Sequence, residues 1–101
     1  MTGRILYEVQ ATFTHEDAAL RWEEWLRAKH IADVVAAGAL DGKVIRLDSP
    51  AATLVAQYWF DSREAFDRYL ADHAPRLRAE GIALFAPEEV TYTRRTGEQI
   101  A

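Results

Sequence analysis

Residues 4–13 alternate, with Ile5, Tyr7, Val9, Ala11 and Phe13 on one side and Leu6, Glu8, Gln10 and Thr12 on the other. A period of two is the signature of a strand. Thr14 then stands at an N-cap position. Glu16 and Asp17 follow in the first turn, where carboxylates complement the free N–H groups of a starting helix. The predicted helix has Ala18, Trp22, Trp25 and Leu26 on its apolar stripe, with Ile31 beyond. Glu23, Glu24, Arg27 and Lys29 fall largely elsewhere on the wheel. Gly38, in the run Ala36-Ala37-Gly38-Ala39, is the expected stop, because glycine takes the left-handed conformation that closes many helices.

From Leu40 to Asp48 the pattern predicts a second strand, and from Ala52 to Phe60 a third, joined through Ser49-Pro50-Ala51 as a hairpin. Asp61 or Ser62 caps the next helix, with Glu64 placed to reach back to Asp61 in a capping box. Its buried stripe is Phe66, Tyr69, Leu70, His73 and Leu77, and Pro75 bends or divides it, since proline removes a backbone donor and clashes with the preceding turn. A last strand is expected from Glu88 to Thr96, followed by a loose tail from Gly97 to Ala101. Strand, helix, strand, strand, helix, strand is the split βαβ pattern. The fold class is therefore α+β, ferredoxin-like βαββαβ, with a four-stranded antiparallel sheet, both helices on one face and the other face bare.

A length of 101 residues, half of them hydrophobic, fits one domain over 1–101 with a core that needs no metal or disulfide. A net charge of −4, with Lys and Arg interleaved among carboxylates, supplies no positive field for nucleic acid. Cysteine is absent, so disulfides, thiolate metal sites and cysteine nucleophiles fall away. Met1-Thr2-Gly3-Arg4 leads directly into the first strand without a signal-peptide run, and no apolar stretch reaches membrane-spanning length, so a cytoplasmic location with no membrane partner is expected. No glycine-rich phosphate loop, nucleophile elbow or acidic metal cluster occurs, and His15, His30 and His73 show no metal-ligand spacing. Neither metal nor cofactor is expected.

Tyr7-Glu8-Val9, Trp25 followed by His30-Ile31-Ala32-Asp33-Val34, Ala37-Gly38, Gln57-Tyr58 and Tyr69-Leu70-Ala71-Asp72-His73-Ala74-Pro75 resemble the DUF4286 proteins of the dimeric α/β-barrel superfamily. The resemblance spans nearly the whole chain. It implies that two protomers place their sheets face to face, closing a homodimeric barrel whose interior is either solid core or a small-molecule pocket. Related members include monooxygenase-like and compound-degrading enzymes, which is analogy and not a reaction for this chain. Some barrels of the superfamily bind haem, but His30 and His73 lack a context that would single out an axial ligand.

Alternation on the first strand sends Glu8 and Gln10 away from the helices, into the expected barrel. On the third strand Leu54, Ala56, Tyr58 and Phe60 are the better helix-packing set, so Val55, Gln57 and Trp59 join Glu8 and Gln10. On the second strand Arg46 pairs in parity with Val44 and becomes the expected partner of Glu8. Glu8, Gln10, Arg46, Gln57 and Trp59 are thus the candidate ligand-binding set, able to orient a polar, anionic or aromatic small molecule. The competing reading is a polar network satisfied across a dimer interface, with no ligand.

His30 is the most plausible general base, with Glu8 second. The alternative for His30 is a helix-end histidine bonded to backbone or to Asp33. His73 reads as packed at the bend, His15 as solvated, and Trp22 and Trp25 as core. Three hypotheses follow. One is a homodimeric module that binds a small molecule or only maintains the dimer. The second is a cofactor-independent enzyme, monooxygenase-like or isomerase/cyclase-like, acting on an aromatic or polyketide-like compound. The third is a monomeric subunit using the bare sheet for another protein.

Overall fold

The computed structural model describes residues 3–101; Met1 and Thr2, with which the expected direct start begins, lie outside the described residues. The elements run β1 (Ile5–Phe13), α1 (Glu16–Trp25), a π-helical turn (Leu26–His30), α2 (Ile31–Ala36), β2 (Asp41–Arg46), β3 (Thr53–Phe60), α3 (Arg63–Asp72), α4 (Ala74–Leu84) and β4 (Val90–Glu98). Every pairing is antiparallel, in the order β2-β3-β1-β4. This is the ferredoxin-like α+β architecture.

The strict alternation of β1 becomes a strict alternation of burial, with Ile5, Tyr7, Val9, Ala11 and Phe13 buried and the residues between them half-buried. In register beside them on β3, Leu54, Ala56, Tyr58 and Phe60 are buried against the helices. Trp22, Leu26, Val34, Phe66, Tyr69 and Leu77 cover that surface. Each such large side chain contributes about 1.5–3 kcal/mol on leaving water.

The first helical segment does not end near His30. It continues through the π turn to Ala36, and there the Gly38 N–H bonds the Val35 carbonyl and the Ala39 N–H the Val34 carbonyl. This is a Schellman closure with Gly38 at φ +128°. The N-cap is His15, with no side-chain cap bond, and not Thr14. Thr14 is one residue too early, and its N–H instead bonds the Glu89 carbonyl.

Ser62 caps α3, its hydroxyl accepting from the Ala65 N–H at 3.1 Å; with Ser62 as cap, Glu64 falls one residue short of the reciprocal position that the Asp61 reading required. Ser62→Ala is expected to lower stability by about 1 kcal/mol, read from the thermal unfolding midpoint. Pro75 divides the helix as expected, sitting in the first turn of α4, where its missing N–H costs nothing. The supposed loose tail is partly strand. Gly97 pairs with Leu6 and Glu98 with Ile5, and the Gln99 N–H bonds the Arg4 carbonyl.

Candidate functional site

The two faces of the sheet hold two different polar sites. On the bare face, register sets Glu8 between Gln57 of β3 and Arg95 of β4. Arg95 Nε and Nη2 donate to Glu8 Oε1 at 3.0 and 2.6 Å, Arg95 Nη2 also donates to Gln10 Oε1 at 3.2 Å, and Gln57 Nε2 donates to Glu8 Oε2 at 2.8 Å. Burial pushes the Glu8 carboxyl upward, but the hydrogen bonds from Gln57 and Arg95 outweigh it and hold the group below its ordinary range. Glu8, Gln10 and Gln57 are brought together as expected. Trp59 shares their face, opposite Leu6 and Asp41.

Arg46 does not join them. It pairs with Leu54, a helix-packed position, and its side chain runs to α1, with Nη1 2.8 Å from Glu16 and Nη2 3.6 Å from Glu23. The guanidinium on Glu8 is Arg95, which the sequence reading passed over. Strand parity would have found it, because Arg94 and Arg95 are adjacent on β4 and must point to opposite faces.

The second site lies between the helices and the sheet. A cavity of about 50 Å³ is walled by all four tyrosines of the chain, Tyr7, Tyr58, Tyr69 and Tyr92, together with Trp22, Trp25 and His30. Among the described residues its lining contains no carboxylate, and the exposed lining residues are Arg78 and Ile82 of α4 and Arg94 of β4, which mark the mouth.

The π turn builds the inner wall. Its i→i+5 bond, from the Ile31 N–H to the Leu26 carbonyl, brings residues five apart over one another. Trp25 and His30 accordingly stack, with ring centroids 4.2 Å apart and planes 22° apart. The His30 ring meets the Tyr58 ring edge-on at 6.5 Å.

Two polar atoms on this wall, His30 Nδ1 and the Tyr58 hydroxyl, are buried without any hydrogen-bond partner among the described residues. A third, Trp25 Nε1, leans toward the Glu80 carboxylate without closing a hydrogen bond. Burial pushes the His30 imidazole down to about 4, against smaller upward pulls from Glu80 and Asp33, so it is neutral at pH 7. Its expected bond to Asp33 is not made, since Lys29 holds Asp33 and reaches Glu80 at 2.9 Å. Burial, and then the neighbouring Tyr69 and Tyr7, push the Tyr58 hydroxyl far above its ordinary range, and Tyr69 is pushed up to about 12 by burial first. The wall therefore offers a phenolic O–H donor and an imidazole nitrogen, both idle, among aromatic faces. Unpaired buried groups of this kind cost about 1–3 kcal/mol each and call for an explanation.

Among the described residues, no group of three His, Cys, Asp or Glu could hold a metal ion, and no helix is long and apolar enough to cross a membrane. The fold is similar to a dimeric ferredoxin-like protein from an uncultured marine organism, at 12% identity, 98% of this chain and 97% of the other, and a TM-score of 0.76. It is also similar to SnoaB, a cofactor-independent oxygenase from Streptomyces nogalater, at 14% identity, 98% and 95% coverage and a TM-score of 0.70. A protein from Shewanella oneidensis matches at 20% identity, 98% and 93% coverage and a TM-score of 0.70. Comparison with curated protein sequences finds no significant match. The family model for a domain of unknown function, DUF4286, matches residues 4–99, and the chain belongs to that family.

Proposed function

We propose that this protein is a homodimeric small-molecule-binding module whose ligand site is the cavity between helices and sheet, and that its ligand is a small planar compound with a polar edge. The observation that carries the reading is the pair of idle polar atoms, His30 Nδ1 and the Tyr58 hydroxyl, on the wall of an aromatic cavity. A ligand hydroxyl or carbonyl meeting them removes a burial cost already present in the free protein, which favours binding. The cavity is about a third of the 150 Å³ that holds benzene in an engineered protein core. A ring therefore enters only as the side chains at the mouth swing outward, and exposed Ile82 is free to do so.

The residues on the bare face fit the dimer better than a ligand, because Glu8, Gln10, Gln57 and Arg95 already satisfy one another while Leu6, Ile45 and Trp59 leave apolar surface beside them. A similar fold described as dimeric supports this pairing. Sedimentation equilibrium should return twice the chain mass of 11.4 kDa. A monomer would leave the bare face for another partner.

Phenol titrated into the labelled protein should shift the NMR signals of Trp25, His30 and Tyr58. Tyr58→Phe should weaken that binding by about tenfold, while its unfolding midpoint stays level or rises by up to about 1 kcal/mol in stability, because a partnerless hydroxyl has been removed. Shifts confined to the bare face would overturn the pocket.

A cofactor-independent enzyme is the second reading, favoured by the similar fold of an oxygenase described in those words. An imidazole that takes a proton only below about 4 abstracts protons poorly at neutral pH, so the free site suits binding more than base catalysis. Dioxygen uptake in the presence of a phenolic compound, abolished in His30→Phe, would reverse that order.

A further inference from the structure

We infer that the ligand of the helix–sheet cavity carries a carboxylate, seated at the mouth between Arg78 and Arg94 with its aromatic ring directed inward. This rests on the cavity being the ligand site. The chain has more acidic than basic residues, and five of its twelve cations pair with carboxylates among the described residues: Arg21 with Glu89, Arg27 with Glu23, Lys29 with Asp33 and Glu80, Arg46 with Glu16, and Arg95 with Glu8. Arg78 and Arg94 are among those with no carboxylate partner in the described residues, and they are the two cations that line this cavity, whose described lining contains no Asp or Glu. In an acidic protein, two guanidiniums at one opening with no carboxylate in its lining form a local positive field.

The two are also partly positioned in advance. Arg78 Nη2 donates to the Tyr7 hydroxyl at 3.1 Å, which leaves its other N–H groups free, and the Arg94 guanidinium lies over the Tyr92 ring, 5.2 Å from its centroid. Their field reaches inward, since the buried Tyr69 hydroxyl feels Arg78 and Arg94 among its charged neighbours. A planar guanidinium fork matches a planar carboxylate through two parallel hydrogen bonds. Flat aromatic walls behind the fork accept a ring coplanar with that carboxylate, and the idle Tyr58 and His30 atoms stand deeper for a ring substituent. The ligand class is an aromatic acid of one ring, with a hydroxyl remote from its carboxylate.

The experiment compares 4-hydroxybenzoate with its neutral isostere 4-hydroxybenzamide by calorimetry and by NMR of the intact protein. The acid should bind at least about tenfold more tightly, with the ratio shrinking as salt is raised. Arg78→Gln and Arg94→Gln should each bring the ratio toward one, while Arg63→Gln, on the exposed first turn of α3, should not. Equal binding of acid and amide, with shifts at His30 and Tyr58, would overturn the carboxylate while leaving the pocket in place. Absence of binding by both, with no shift at either residue, would overturn the pocket as well. A ratio unchanged in both arginine variants would place the anion elsewhere and sink the inference.

Discussion

Taking the protein from pH 7 to about pH 4 is expected to remove roughly 3 kcal/mol of folding stability through one side chain, His30. The imidazole titrates near 6.5 when exposed and near about 4 when folded, because burial beneath Trp25 and against Tyr58 disfavours its charged form. Between those values the unfolded chain binds a proton that the folded chain does not. Stability is therefore full above about 6.5, declines as pH falls, and levels off once both states are protonated. Glu8 acts in the next interval down: its carboxyl is held below 4.5, so what its bonds contribute is present above that value and is lost as pH falls through the lowered one. Urea unfolding midpoints at half-unit steps from pH 7.5 to 3.5 should trace the His30 decline first, and His30→Phe, which keeps a ring against Trp25, should flatten it. A wild-type midpoint that stays level from pH 7 to pH 5 would mean the imidazole is not buried as described.

Gly42→Ala is expected to cost about 1–3 kcal/mol. Removing a glycine from a strand ordinarily gains stability, through reduced freedom of the unfolded chain, by up to about 1 kcal/mol. Here a Cβ would stand 2.8 and 2.9 Å from two Tyr58 ring carbons and 3.0 Å from Ile31 Cγ2. Tyr58 is 1% exposed, clamped by Tyr7 on one side and His30 on the other, and has nowhere to retreat but the cavity. Sterics should therefore win over propensity, and the displaced ring should narrow the cavity, weakening phenol binding as well. Chemical denaturation of Gly42→Ala, Tyr58→Leu and the double variant would show it, the two changes together costing less than the sum of each alone. A Gly42→Ala protein more stable than the parent would show that propensity prevails.

How far the sequence could be read depended on how sharply each element alternates. In β1 and β3 one parity is apolar enough to name its face, and the pairing of Glu8 with Gln57 follows. In β2 the neighbours Val44, Ile45 and Leu47 are apolar at both parities, so nothing local says where Arg46 points; its register against Leu54 decides, and that is a tertiary fact. The α1 cap slipped by one residue and the α3 cap stayed open between two, because Thr14 and His15, or Asp61 and Ser62, are adjacent candidates and the backbone chooses between them. The aromatic cavity was not legible at all. Its four tyrosines sit on three strands and one helix and meet only once the sheet and helices have packed. One local signal was present. From Leu26 the next apolar residue packed on the core is Ile31, five positions on, where a regular α-helix brings one round after three or four.

That step of five has a use for comparing relatives. A π turn is an α-helix with one residue too many, so a homologue whose helix is regular at this point must be one residue shorter between its counterparts of Leu26 and Val34. In such a protein every side chain beyond the missing residue keeps the face it has here, because the π turn absorbs the extra residue; a relative of equal length with a regular helix would instead have them rotated by about 100°. An imidazole in that relative would no longer lie on the indole or face the tyrosine. A single-residue gap in an alignment, ordinarily dismissed as noise, thus marks a relative that keeps this wall on a regular helix, and its absence marks one that keeps the wall only if it also keeps the π turn.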